Sequence, residues 1–153
     1  MNNNDIMRRI RYTFDFNDTK MIELFSLAGH EVTRAQISDW LKKDDDPAFQ
    51  GLYDHQLAVF LSGLIIEKRG KKEGPQPIPE KRLNNNIVFR KLKIALNLKN
   101  EDILEILELA DMHISNHELS AFFRSPGQNQ YRLCKDQILR NFLQGMQLKY
   151  HKL

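Results

Sequence analysis

Three groupings of side chains in this sequence have types that bind metals or attack bonds, and spacing is the first test of each. Asp44-Asp45-Asp46 offers carboxylates to a hard cation, which needs several converging oxygens at set positions. The matching stretch later in the chain, Pro126-Gly127-Gln128, keeps none of these acids, and a solvated loop is the expectation. His113 and His117 stand four apart, as zinc ligands on one helix would. Ser115 between them reads as a helix cap, however, so the two do not share a helical face. His30, His55 and His151 have no partner spacing. Cys134 is the one cysteine and has no histidine near it in sequence; a small buried side chain is expected there rather than a nucleophile. No phosphate-cradling glycine loop or nucleophile elbow is present. No catalytic residue, metal ligand or cofactor site is therefore expected, and the reading is of a non-enzyme.

The remaining candidates are cations. Arg8, Arg9 and Arg11 cluster near the start, and Arg90, Lys91 and Lys93 cluster in the same spacing further on. Arg8 and Arg11 fall away from the apolar side of a helix, so they are expected to face solvent. With Lys71 and Lys72 they would make a discontinuous phosphate-binding surface. Arg34, Lys42, Lys43 and Arg124 are placed to join it if the segments 21–28 and 33–43 act as a helix-turn-helix. Against that use, the turn exceeds the usual three residues, and Asp39 and Glu118 bring negative charge.

The elements that position these residues come from a repeat. Shifting the sequence by 82 positions (Asn84 minus Asn2) aligns its two ends without a gap. Asn2-Asn3-Asn4 falls on Asn84-Asn85-Asn86, Arg8-Arg9-Ile10-Arg11 on Arg90-Lys91-Leu92-Lys93, and Trp40-Leu41-Lys42 on Phe122-Phe123-Arg124. Leu57, Phe60-Leu61 and Gly63 land on Leu139, Phe142-Leu143 and Gly145. Apolar replaces apolar and basic replaces basic, as duplication requires. The shift also filters the candidate chemistry: the acid run, the histidine pair and Cys134 (mate Leu52) have no counterpart in the other copy. Glu23 and Glu105 recur as helix-surface residues, and Asp54 and Asp136 as helix starts.

Four helices are read in each copy. Ile6, Met7, Ile10 and Phe14 form one apolar stripe, and Val88, Phe89, Leu92 and Leu96 reproduce it, each behind capping asparagines. A second helix runs from Asn17-Asp18 to about Ala28, with Gly29 as its stop; the second copy has Asp111 there. Thr33 with Gln36, and Ser115 with Glu118, form capping boxes for the third. The last begins near Asp54 and Asp136. The class is all-α: a tandem four-helix unit with copies at 1–68 and 84–153 and a basic, proline-rich linker at 69–83. Such units sit near the lower size limit for independent stability, so the copies should pack on each other or the chain should form a homodimer.

The asparagine triplets, the Leu-Ala and Leu-Ser pairs, the linker, and the run Tyr131-Arg132 through Asp136-Gln137 to Arg140-Asn141-Phe142-Leu143 together resemble the YehS-like bacterial proteins. These carry two copies of a domain of unknown function. The resemblance spans essentially the whole chain and implies a bacterial protein with this two-copy layout; it brings no catalytic residues.

Bulk properties narrow the class. With 41% hydrophobic and 28% charged residues among 153, the chain can build a core. No apolar run reaches the roughly 20 residues that span a bilayer, no signal peptide opens it, and a single cysteine fits a reducing compartment; a cytoplasmic location without membrane contact is expected. The net charge of +3 is only mildly basic. The leading expectation is a helical binding module for nucleic acid, and the second is a protein–protein adaptor or homo-oligomeric scaffold. An enzyme of unrecognised type comes third.

Overall fold

Asn2 starts the first helix by accepting from the Asp5 backbone N–H, while the Asp5 carboxylate accepts from the Asn2 N–H. This reciprocal pair satisfies two amides that a helix start leaves open. The helix that follows, α1 (Asn3–Phe14), buries Ile6, Met7 and Ile10. The computed structural model describes residues 1–152. After α1 come α2 (Asp18–Leu27), α3 (Arg34–Leu41), α4 (Asp54–Arg69), α5 (Asn85–Ala95), α6 (Asn100–Leu109), α7 (Asn116–Phe122) and α8 (Asp136–Tyr150). No strand occurs among the described residues. The protein is all-α, and the four-helix order occurs twice.

Both expected capping boxes form, Thr33 with Gln36 and Ser115 with Glu118. The helix ends are matched as well. Asp15, Gly29, Asn97 and Asp111 follow α1, α2, α5 and α6 with φ of 54°, 86°, 54° and 58°. In each case the next N–H bonds a carbonyl five residues back: Phe16 to Arg11, His30 to Phe25, Leu98 to Lys93 and Met112 to Leu107. Gly29 is thus the expected stop, and Asp111 takes the same left-handed turn without glycine's freedom, at about 1–2 kcal/mol.

The asparagine triplets do more than cap. Asn4 is buried and donates to the carbonyls of Trp40 and Gln50 at 3.0 and 2.9 Å, while its oxygen accepts from Leu52 N–H at 2.9 Å. Asn86 repeats this with Phe122, Arg132 and Cys134. Asn3 reaches the carbonyl of Leu52 and the carboxylate of Asp54, and Asn85 reaches those of Cys134 and Asp136. Each triplet therefore straps the loop between the third and fourth helices to the first.

The two halves close on each other reciprocally: α1 lies against α8, and α5 against α4. Buried side chains of both halves form one core, with Phe25, Phe60, Phe89 and Phe142 among its largest members. A shared core resolves the size problem of a single unit. The linker returns along α4. Before it begins, Lys68 in the last turn of α4 sits 4.5 Å from the centre of the Phe14 ring. At the linker's far end the Glu80 carbonyl accepts from His55 Nδ1 at 3.0 Å and the Leu83 N–H donates to Asp54 at 2.9 Å, at the start of α4.

Candidate functional site

The recurring cations of α1 and α5 lie on helix faces that meet other elements. Arg8 donates to the Lys42 carbonyl and to Asp5, each at 2.9 Å, and its Nε is buried without a hydrogen-bond partner. Arg90 likewise donates to the Phe123 carbonyl at 3.1 Å. Both guanidiniums thus satisfy carbonyls left open where a third helix ends. Arg9 crosses to α8 and bonds Gln144 at 2.6 Å. Its mate Lys91 crosses to Ser62 on α4 at 2.9 Å and meets Glu80 at 2.7 Å. Ser62 and Gln144 are themselves mates, so the contacts are reciprocal, as in an isologous interface.

Arg11 pairs with Asp18 at 3.7 Å, and Lys93 bonds Asn100 at 3.0 Å. Burial, helped by Arg90, lowers the Lys93 pKa, and the ammonium lies 4.3 Å from the Phe123 ring centre. The expectation that Arg8 and Arg11 simply face solvent is corrected: both are only partly exposed and hold neighbouring elements. Lys91 is buried outright.

The other predicted residues scatter. Arg34 is exposed and approaches Asp18 at 3.4 Å. Lys42 pairs with Asp39 at 2.8 Å, and Arg124 bonds Gln130 at 3.1 Å. Lys43, Lys71 and Lys72 are exposed and form no ion pair among the described residues. Between α2 and α3 the chain spends residues 28–33, a connection twice the length of a tight helix-turn-helix turn.

What the fold does gather is a groove of about 540 Å³ between α1 and α8. Arg8, Arg9 and Tyr12 of α1 face Arg140, Leu143 and Gln147 of α8 across it, with Met1 and Asp5 at one end. Three guanidiniums against one carboxylate make the lining cationic, and the Tyr12 ring, half exposed, stacks on His151 at 4.2 Å. The same surface on the other half, between α5 and α4, is where the linker lies. There Ala58, the mate of Arg140, is fully buried, and Ile94 and Ile65 replace Tyr12 and Gln147.

Sequence reading missed Arg140, Tyr12 and Gln147 because it favoured what the copies share. The available signal was the opposite one: positions polar in one copy and apolar in its mate.

Acid–base and metal chemistry find little here. Burial pushes the Cys134 thiol up to about 12, so it is protonated at neutral pH. Hydrogen bonds from Asn3 and the Leu83 amide hold the Asp54 carboxyl below its ordinary range, and Asn85 does the same for Asp136. No cluster of three His, Cys, Asp or Glu suited to a metal occurs among the described residues. No described helix is long and apolar enough to cross a membrane.

Comparison with known proteins agrees with this geometry. A family described as a protein of unknown function, DUF1456, matches the chain twice, over residues 3–70 and 85–151. The chain is 44% identical over 152 residues to the uncharacterized protein YehS of Escherichia coli (strain K12), covering 99% of this chain and 97% of that protein. No solved structure matches it. Two family segments, each coinciding with one run of four helices, place the chain in the DUF1456 family, to which it belongs as a two-copy member.

Proposed function

We propose that this chain is a binding module that receives an extended segment of a partner protein in the groove between α1 and α8. One observation carries this reading: the groove is the repeat mate of a surface that already receives an extended segment, the chain's own linker. A concave site with a few polar groups above an apolar floor is the usual form of a recognition site. Here Leu143 supplies floor, and Arg9, Arg140 and Tyr12 supply the polar rim. Arg and Tyr are the residues that most often anchor a protein partner.

A photo-crosslinking side chain at Tyr12, used in native cells followed by nuclease treatment, tests it. The expected product is a protein adduct that persists after nuclease and is lost in the Arg140→Glu variant. An adduct made of nucleic acid would sink the reading.

The second reading, nucleic acid, rests on exposed cations: Lys68 and Arg69 in the last turn of α4, and Lys71, Lys72, Lys81 and Arg82 in the linker. Six cations on one short segment would grip phosphates without sequence preference, and binding would weaken steeply with salt. The recurring helix cations add less to it, since Arg9, Arg11, Lys91 and Lys93 are held by partners within the fold.

A further inference from the structure

The linker's contacts form a small recognition set, and each receiving group has a repeat mate beside the groove. Lys91 receives the Glu80 carboxylate at 2.7 Å; its mate is Arg9. Asp54 receives the Leu83 amide at 2.9 Å; its mate Asp136 lies 3.8 Å from the backbone nitrogen of Met1, the mate of Leu83. His55 donates to the Glu80 carbonyl at 3.0 Å; its mate is Gln137, another hydrogen-bonding side chain. Cation answers cation, carboxylate answers carboxylate, and polar side chain answers polar side chain.

Two differences fit the open side better to a carboxylate, and the second also adds a positive charge. Arg9 replaces an ammonium with a planar guanidinium, which can hold both oxygens of a carboxylate. One of its donors is spent on Gln144, out of five. Arg140 stands where the linker side has the buried alanine Ala58, and it is exposed with a single weak side-chain contact, to Gln137 at 3.2 Å. Two carboxylates oppose this charge: Asp5 in the lining, occupied by Arg8 and the Asn2 amide, and Asp136 at its border, one turn before Arg140 and bonded by Asn85.

Building on the partner-segment reading above, we infer that the segment this groove takes is acidic, with a carboxylate seated between Arg9 and Arg140 and its backbone running as the linker's does on α4. The chain's own linker supplies the probe. A fluorescent peptide of residues 73–80 (Glu-Gly-Pro-Gln-Pro-Ile-Pro-Glu), which is acidic and stops short of the seat that Met1 fills, is titrated into the full chain at low salt, beside the same peptide with Glu80→Gln. Fluorescence anisotropy reads affinity, and backbone NMR shifts read the place of binding.

The expected result is binding with shifts at Arg9, Tyr12 and Gln144. It should weaken roughly fivefold to tenfold with the glutamine peptide, and by a similar factor in the Arg140→Gln chain. Arg140 holds no other element in place, so that variant keeps the fold, as a thermal melt will verify; Arg9→Gln is the companion variant. If both peptides bind alike with shifts in the groove, the acidic requirement is overturned while the groove reading stands. If neither binds, or shifts fall on the α4–α5 side, the inference is overturned and the Tyr12 crosslink decides the broader reading by itself.

Discussion

Gly63 of α4 lies so close to Leu24 of α2 that a Cβ built on the glycine would come within 1.8 Å of the Leu24 carbonyl oxygen. Gly145 and Ile106 repeat the relationship in the second half, at 2.1 Å. Backbone oxygens within helices cannot swing aside, so the helices must separate to admit even a methyl group. Gly63→Ala and Gly145→Ala should each destabilise the fold by about 3 kcal/mol. Gly51→Ala and Gly127→Ala, where a Cβ meets nothing within 4 Å, should stay within about 0.5 kcal/mol. Urea unfolding of the four variants separates the two pairs.

Asn4→Ala and Asn86→Ala each remove three hydrogen bonds to loop backbone. The amide of Leu52 or Cys134 is then left buried without its acceptor. A loss of about 2–3 kcal/mol is expected for each. Hydrogen exchange should accelerate in residues 43–53 for the first variant and 125–135 for the second. Equal exchange in both loops would refute the strap.

The Asp54 carboxylate has a folded pKa below its ordinary value, with the Asn3 hydrogen bond as the largest cause. A depressed carboxyl pKa means the unfolded chain binds the proton more readily. The contribution is therefore present above about pH 4 and lost as pH falls through the folded value. Asp54→Asn should be less stable than the parent at pH 7, and the gap should close in acid. A gap that is unchanged at about pH 2 would contradict this assignment.

Cys134 is buried, and its thiol is pushed up to about 12. A thiol reagent at neutral pH should react with the native chain only as fast as the chain opens, and at full speed in urea. Prompt reaction in the folded state would show that the side chain is accessible.

Glu80→Gln removes the carboxylate that holds Lys91 at 2.7 Å. The linker should then leave α4 more often, and tryptic cleavage after the exposed Lys81 and Arg82 should quicken roughly fivefold. Melting of the helical core, followed by circular dichroism, should move far less than the cleavage rate.

Much of this fold could be read from local physics. Helix starts at Asn2, Thr33 and Ser115 are written in a residue and its third neighbour, because a cap is a contact across one turn. Apolar stripes such as Ile6, Met7 and Ile10 are written in the helical period. Duplication made each reading twice. The register that aligned Arg9 with Lys91 also aligned their crossing contacts to Gln144 and Ser62.

The chemistry of the cations was another matter. Arg8, Arg11 and Lys91 look alike as charges along a helix, yet one caps a loop, one pairs with Asp18 and one is buried under Glu80. Those outcomes depend on partners that lie between 7 and 34 residues away in sequence. The asparagine straps needed the loop at residues 43–53 to be brought back onto α1.

By itself the sequence determined eight helices, their caps and the twofold repeat, because turn-scale contacts and apolar periodicity are local properties. Only the tertiary structure decided that each first helix crosses to the other half, and that the face between α1 and α8 becomes a cationic groove. Connectivity lays the linker beside α4 and α5, which it joins, but the groove is lined from both ends of the chain, and those distant surfaces meet only when the two halves share a core.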